Sequence, residues 1–240
     1  VTGVQTCALP IYADIAKTIS AESVHPGATV GMAFILAALA FKISAAPFHM
    51  WTPDVYEGAP TTVTAFFSVV PKLAGFAALM QVLFVPFAQL ANSWQPLIVV
   101  LAALSMIVGA FGAIGQTSIK RLLAYSSIGH VGFALMALAT QSEKGIEAVL
   151  LYLVFYIVMS VGAFAVVLLM RRDDRMVEEI SDLAGISRLH PGMAAAMAIL
   201  MFSMAGIPPL VGFFTKLYVF VAALEAGLIW LAIIGALSSV

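Results

Sequence analysis

Long apolar runs dominate this chain, and none of them alternates apolar and polar residues with the period of two that a β-strand shows. A helix that spans a membrane needs about 20 largely apolar residues. By that measure the sequence predicts an all-α, polytopic transmembrane helix bundle. Its predicted spanning segments are residues 28–50, 61–88, 95–115, 120–140, 146–170, 192–223 and 227–240.

The start of the chain does not fit this pattern. We predict a leading tail at residues 1–27 and a membrane domain at residues 28–240. The stretch VTGVQTCALPI, residues 1–11, resembles translated adapter sequence, and we expect it to be non-native. Because the chain starts with Val1 and stops at Val240 inside an apolar run, we expect an internal piece of a longer protein.

Basic residues predict the orientation, because cytoplasmic loops are rich in lysine and arginine. Six lysines and arginines lie on one predicted side of the membrane, whereas the connections on the opposite side contain Lys144. We therefore predict that the more basic side is cytoplasmic. The long connection 171–191 is then expected to be a solvated loop, although its apolar spacing from Val177 to Ile186 also suits a short interfacial helix. The basic residues on the predicted cytoplasmic side are Lys120, Arg121, Arg171, Arg172, Arg175 and Arg188.

Composition supports a membrane protein and excludes several other classes. Hydrophobic residues make up 62% of the 240 residues, against roughly 45–50% in soluble proteins. The net charge of −1 offers no attraction to nucleic acid. The single cysteine, Cys7, excludes an internal disulfide and a cysteine-based metal site, and no glycine-rich nucleotide motif occurs. Redox centres and nucleotide sites, if needed, are expected on other chains.

Three lysines lie inside apolar segments, and each is close to a proline: Lys42, Lys72 and Lys216. An ammonium in hydrocarbon costs about 3 kcal/mol on insertion scales, so a chain that keeps three of them is expected to use them. Proline frees backbone carbonyls and interrupts a helix. We therefore predict interrupted helices at Pro47 and at Pro208–Pro209, each beside an ionisable side chain, as in membrane proteins with a polar pathway at the bilayer centre.

The choice of lysine indicates proton chemistry. A lysine taken out of water can lose its proton near neutral pH, whereas an arginine stays protonated. The three lysines are thus candidates for accepting and passing on protons. The alternative for Lys42 is a side chain that snorkels to the membrane surface.

His130 lies about ten residues into its segment and can relay a proton through its two ring nitrogens. The alternative is a buried, hydrogen-bonded structural histidine. Lys120 opens the same segment and either snorkels or faces the interior. Tyr125, Ser126 and Ser127 could support a water chain between Lys120 and His130, or simply pack between helices.

Other polar residues are predicted to be structural. Tyr152 and Tyr156 are expected to pack, and Asp54 and Glu57 to cap a helix rather than to line a proton entrance. No acid lies at mid-depth in any predicted span, so three charged lysines would lack a carboxylate. Either some of them are neutral, or the partner acid lies outside this chain.

Three stretches carry a resemblance to a known family: FKISAAPFHMWTPDVYEGAPTTVTAFFSVVPK, SIKRLLAYSSIGHVGFALMALA and SMAGIPPLVGFFTKLYVF. They are similar to the signature regions of the antiporter-like membrane subunits of respiratory complex I, the NADH–quinone oxidoreductase. The resemblance covers residues 28–240. Related chains serve chloroplast and mitochondrial complexes, multisubunit sodium/proton antiporters and membrane-bound hydrogenases.

The resemblance implies an antiporter-like fold of fourteen helices with inverted repeats, of which this chain holds helices seven to thirteen, with seven and twelve interrupted. Lys42 would pair with a glutamate on helix five, outside this chain. Lys72 would be the central relay and Lys216 the terminal lysine. His130 and Lys120 would belong to the stretch that connects them.

The resemblance also implies proton translocation in a bacterial inner membrane, coupled to electron transfer elsewhere. The partners would be other complex I membrane subunits, the peripheral arm and the lipid bilayer. NADH, FMN, iron–sulfur clusters and quinone would lie on partner subunits, with no cofactor in this chain. The alternatives are a subunit of a cation/proton antiporter or a membrane-bound hydrogenase, and a membrane scaffold whose lysines are replaceable. Sodium favours carboxylate ligands, so the lack of mid-depth acids counts against the antiporter.

Overall fold

The computed structural model describes residues 2–19, 26–172, 175–176 and 178–239. Val1 and residues 20–25 of the predicted tail, three residues of the long connection (Val177 among them) and Val240 therefore lie outside the described residues. The α-helices are α1 (Thr2–Ile19), α2 (Pro26–Ile43), α3 (Trp51–Gly58), α4 (Thr61–Phe84), α5 (Ala91–Ile114), α6 (Ile119–Leu138), α7 (Glu143–Leu169), α8 (Ile186–Leu189), α9 (Pro191–Ala205), α10 (Val211–Glu225) and α11 (Ile229–Ser239). Short 3₁₀ turns (Ala88–Leu90, Ile180–Leu183) and a two-stranded antiparallel hairpin, β1 (Arg171–Arg172) with β2 (Arg175–Met176), complete the described elements.

The all-α prediction is confirmed, and the chain is a multi-pass membrane protein. Five of the described helices are long and apolar enough to cross a membrane by themselves: α2, α4, α5 with its preceding turn, α6 and α7. Two predicted spans are divided. The span at 28–50 ends as a helix at Ile43, and the span at 192–223 splits into α9 and α10. These are the interruptions that the prolines predicted.

The second interruption is built by one glycine and two prolines. Gly206 adopts a left-handed backbone with φ of 89°, which favours glycine because it has no Cβ. Its N–H donates to the carbonyls of Phe202 and Ser203 at 3.1 and 3.0 Å, closing the end of α9. Pro208 and Pro209 then supply no N–H to continue the helix. The carbonyls at the very end of α9 are thereby left free of the helix's own hydrogen bonds, so other donors can reach them.

The first interruption is anchored to a neighbouring helix. Ser44 has a left-handed φ of 65°, and the Ala45 N–H donates to the carbonyl of Ala40 at 2.8 Å. The Ala46 N–H donates to the Ser105 hydroxyl of α5 at 2.8 Å, with both groups buried. A buried N–H without a partner is costly, so this bond holds the non-helical stretch in place.

Helix α6 is the centre of the bundle. Almost three quarters of its spanning window, 72%, is buried, the highest share among the five spans. It packs most extensively against α5 and also contacts α3, α7 and α10. Helices α5 and α6 approach so closely at Gly109 and Gly129 that a Cβ added to Gly109 would meet the backbone of Gly129 at 2.5 Å. The polar residues of α6 are therefore fixed within the core.

Charged side chains gather at the end of the bundle where α6 begins. Arg121 donates to Asp54 at 2.6 Å, to Glu57 at 2.9 Å and to Gln116 at 3.1 Å, so the start of α6 is tied to α3. Asp54 and Glu57 thus hold Arg121 rather than cap the following helix, α4, whose start has no side-chain cap. At the opposite end Lys144 pairs with Glu225 at 2.8 Å.

The long connection is not a plain solvated loop. The Ile119 N–H donates to the carbonyl of Glu178 at 3.0 Å, and the Ile180 N–H donates to that of Thr117 at 2.8 Å. Ile180, Leu183 and Ile186 pack against a buried apolar cluster. The apolar spacing seen in the sequence therefore docks this segment on the start of α6.

We predict that Gly109→Ala destabilises the full-length protein by about 1–3 kcal/mol, because the new methyl group overpacks the contact between α5 and α6. Thermal unfolding of the purified protein in detergent measures the effect. The matched control is Gly31→Ala in α2, where an added Cβ meets nothing within 4 Å. Equal unfolding temperatures for the two variants would contradict the close approach.

Candidate functional site

Lys72 is buried at the centre of the bundle. Its side chain follows Pro71 on α4, and the residue is 2% exposed. The ammonium donates to the hydroxyl of Ser127 on α6, and that hydroxyl donates in turn to the carbonyl of Ala124 at 2.7 Å. The rings of Tyr56 and Tyr156 have their centroids 5.5 and 5.9 Å from the ammonium. Oriented dipoles and aromatic faces, rather than a carboxylate, thus surround this nitrogen.

His130 lies three residues after Ser127 on α6. Its Nδ1 is 2.6 Å from the hydroxyl of Tyr152 on α7, and both residues are buried. The centroid of the Tyr156 ring is 5.3 Å from that of the imidazole. The hydroxyl of Tyr156 donates to the carbonyl of Ser68 at 3.1 Å. Lys72 and His130 therefore share one aromatic, polar pocket between α4, α6 and α7.

Lys216 is held by the second interruption. Its ammonium donates to the carbonyl of Ala205, the last residue of α9, at 2.8 Å and to the hydroxyl of Ser239 at 2.8 Å. It also lies 4.9 Å from the centroid of the Phe133 ring. The carboxyl end of a helix carries partial negative charge, so the interrupted helix stabilises an ammonium there. The sequence predicted that Lys216 lies beside an interrupted helix, and in the structure its ammonium bonds directly to the last residue before the interruption.

Two spaces join these groups. A cavity of about 250 Å³ is lined by His130, Lys216, Ser126 and Ser239, among other residues. A void of about 10 Å³, close to the size that one water molecule needs, is lined by Lys72, His130 and Tyr152, among others. Lys72 and Lys216 therefore line two separate spaces that have His130 in common, which places the three predicted relay residues in the order Lys72, His130, Lys216.

Helix α6 sets that order by its spacing. Ser127, His130 and Phe133 are three residues apart, so they follow one another along one side of the helix. They contact Lys72, Tyr152 and Lys216, respectively. The rise of 1.5 Å per residue separates the first and last of these contacts by about 9 Å along the helix axis.

Lys120 faces the interior rather than the surface. Its side chain is 6% exposed, and its ammonium lies 3.4 Å from the carbonyl of Ala59 and 3.4 Å from a carboxylate oxygen of Glu178. A cleft of about 480 Å³ is lined by Lys120, Glu57 and Glu178, among others. Lys120 thus lies at one end of α6, three turns from His130, and outside the Lys72–His130 pocket.

Lys42 does not join the other four residues. It occupies the last turn of α2 and is exposed on the surface of the described helices. Lys72, Lys120, His130 and Lys216 are all buried. No described carboxylate pairs with Lys42, Lys72 or Lys216. Whether Lys42 has a partner in another part of a longer protein stays a prediction.

The sequence-based interpretation missed two tyrosines. Tyr152 and Tyr156 were expected to pack only, yet Tyr152 bonds to His130 and Tyr156 lies over Lys72. Their spacing carried a signal. Tyr152, Tyr156 and Ser160 follow one another at intervals of four in an otherwise apolar helix, so they form one polar stripe. Ser160 completes the stripe by bonding to Ser68 of α4 at 3.0 Å.

Comparisons with known proteins agree with this architecture. The sequence model of a family described as NADH:quinone oxidoreductase/Mrp antiporter, transmembrane, matches residues 11–240. The NADH-quinone oxidoreductase subunit N of Parvibaculum lavamentivorans is 57% identical over 229 residues, which cover 95% of this chain and 47% of that protein. The chain thus spans about half the length of such curated relatives.

Two solved structures show the same fold. A chain of respiratory complex I from Thermus thermophilus with bound aureothin matches with a TM-score of 0.75 and 36% identity, covering 92% of this chain and 48% of that one. A chain of the Mrp complex from Dietzia sp. DQ12-45-1b matches with a TM-score of 0.82 and 26% identity, covering 96% of this chain and 45% of that one. The antiporter-like fold is therefore confirmed.

We predict that Ser127→Ala destabilises the full-length protein by about 1–3 kcal/mol, because the buried ammonium of Lys72 loses its hydrogen-bond acceptor. Ser126→Ala is the matched control, since it removes the same hydroxyl one residue away, where no contact to Lys72 is made. Thermal unfolding in detergent compares the two. A larger loss for Ser126→Ala would contradict the role of Ser127.

Proposed function

This chain belongs to the NADH:quinone oxidoreductase/Mrp antiporter family of membrane proteins, and we propose that it is a proton-translocating part of subunit N of a bacterial NADH-quinone oxidoreductase. The observation that carries the proposal is the buried series Lys72, His130 and Lys216, held along α6 without a described carboxylate partner. Such groups are costly in a membrane and mark proton pathways. The proposed location is the bacterial inner membrane.

The proposed division of labour places electron transfer on other subunits. NADH, FMN, iron–sulfur clusters and quinone would be bound there and in the peripheral arm. This chain contributes one cysteine, and within the described ranges no group of three or more histidine, cysteine, aspartate or glutamate residues could hold a metal ion. Its own part is to hold and move protons.

The coupling is proposed to be electrostatic. Two unit charges 4 Å apart interact by about 4 kcal/mol at an effective dielectric constant of 20. Each 1.4 kcal/mol changes a protonation equilibrium about tenfold. A change in the pairing of Lys42 with an acid elsewhere in the protein would therefore change whether Lys72 keeps its proton. Lys72 has no described counter-ion that would mask the change.

The proposed path runs from Lys72 to His130 and on to Lys216. Lys72 and His130 line the same small void, and His130 and Lys216 line the same larger cavity. Lys216 is held by a carbonyl and a hydroxyl, both of which also accept a hydrogen bond from a neutral lysine. The proton can therefore leave Lys216 without breaking up its site. Lys120 is proposed to serve the end of α6 at which protons enter.

A cation/proton antiporter is the second candidate, and the fold match to the Mrp complex favours it. Sodium is bound by oxygen ligands, especially carboxylates. The relay residues of this chain are lysines and a histidine, and the higher identities are to the oxidoreductase relatives. Proton movement driven by NADH rather than by a sodium gradient distinguishes the two.

We predict that Lys72→Ala in the full-length subunit lowers NADH-driven proton pumping by about tenfold or more, because the central relay loses its ionisable group. Pumping and NADH–quinone turnover are measured together in membrane vesicles. Since the two are coupled, turnover falls as well, while the complex still assembles.

The matched control is Lys144→Gln, which removes an exposed lysine paired with Glu225 at the far end of the bundle. Surface pairs of this kind contribute about 0–1 kcal/mol, so this variant keeps full pumping. Unchanged pumping in Lys72→Ala would show that Lys72 is not a relay and would support the scaffold alternative.

A second prediction separates the positive charge of Lys216 from its ability to release a proton. Lys216→Arg keeps a cation at the carbonyl end of α9, but a guanidinium does not give up its proton. We expect pumping to fall about as far as in Lys216→Ala, with normal assembly of the complex. Pumping in Lys216→Arg at the unmutated level would show that Lys216 acts only through its charge.

A further inference from the structure

The hydroxyl of Tyr152 is the one tyrosine hydroxyl in the Lys72–His130 pocket that bonds to a relay residue. Tyr56 donates to the carbonyl of Phe67 at 3.4 Å, and Tyr156 donates to that of Ser68 at 3.1 Å. These two hydroxyls are occupied by backbone acceptors. Among the described residues, the hydroxyl of Tyr152 bonds to His130 alone.

The Tyr152 hydroxyl lies 2.6 Å from Nδ1 of His130, and it donates there when the neutral imidazole carries its hydrogen on Nε2. That tautomer is the one in which Nδ1 can take up a proton from the tyrosine. Nε2 bonds to none of the described residues, and the ring lines the cavity that also holds Lys216.

Tyr152 also lines the same void as Lys72. This void of about 10 Å³ is lined by His130 as well, and that volume is close to the least that one water molecule needs. Its ring is held on the other side by Phe133, with the centroids 6.3 Å apart in a stacked arrangement. Tyr152 therefore lines the same void as Lys72 and also contacts the imidazole.

We propose that Tyr152 is a proton-relay residue, through whose hydroxyl protons pass from the side of Lys72 to His130. A proton that reaches the tyrosine oxygen replaces the hydroxyl's own proton, which moves to Nδ1, while the proton on Nε2 leaves into the cavity of Lys216. Each residue ends with as many protons as it began with. Loss of the proton from Nδ1 and uptake of one at Nε2, passed through water, restore the starting tautomer. The inference rests on the proposed proton-translocating function.

The first test is Tyr152→Phe in the full-length subunit within the assembled complex. It keeps the ring and its stacking on Phe133 but removes the oxygen, and we expect NADH-driven pumping in vesicles to fall about tenfold or more. Tyr218→Phe makes the same change on the exposed face of α10 and keeps full pumping. Full pumping in Tyr152→Phe overturns the proposal.

The second test separates a relay from a merely structural tyrosine and also applies if Tyr152→Phe fails to assemble. Incorporation of 3-fluorotyrosine at position 152 keeps the ring and the hydroxyl but makes the phenol more acidic. We expect the pH dependence of pumping to shift relative to the same substitution at position 218. An unchanged pH profile overturns the relay.

Parallel measurement of Lys72→Ala tells the two proposals apart. If Lys72→Ala abolishes pumping and Tyr152→Phe does not, the proposed function stands and the tyrosine relay fails. If neither variant loses pumping, the proposed function itself fails.

Discussion

The cost of burying an ammonium without a carboxylate is the constraint on which this structure depends. Lys72 and Lys216 are 2% and 8% exposed, and neither pairs with an acid among the residues that the structure describes. Hydroxyls, backbone carbonyls and aromatic faces replace the acid. These partners stabilise a charged lysine only moderately and tolerate a neutral one, which is the property that a proton carrier requires.

The interruption after α9 and the side chain of Lys216 form one site. Gly206 and the two prolines end α9, and the carbonyl of Ala205 becomes available to Lys216. An uninterrupted helix would have used that carbonyl for its own hydrogen bond. The break therefore supplies both the polar atom that holds Lys216 and the negative end of a helix dipole. Helix α6 then aligns this site with Lys72 and His130 through three side chains spaced three residues apart.

The sequence predicted the elements well, because long apolar runs and helix-breaking prolines act locally. It also singled out Lys72, His130 and Lys216, since a charge within an apolar run is conspicuous. It missed Tyr152, because a tyrosine is compatible with both packing and hydrogen bonding, and only the position of His130 on another helix decides between them. The order of the relay came from the resemblance to a known family and not from the residues alone, since that order depends on how α4, α6 and α10 pack. The exposed position of Lys42 likewise follows from packing rather than from its local sequence.

The central claim is that Lys72 and Lys216 belong to one route rather than to two independent sites. Proton pumping by the variants Lys72→Gln and Lys216→Gln, and by the double variant, tests it most directly, with all three measured in the full-length protein in vesicles. Residues that act as a unit show strongly non-additive effects, so the double variant should pump no more slowly than the slower single variant. A double-variant loss equal to the product of the two single losses would mean independent action and would contradict the account.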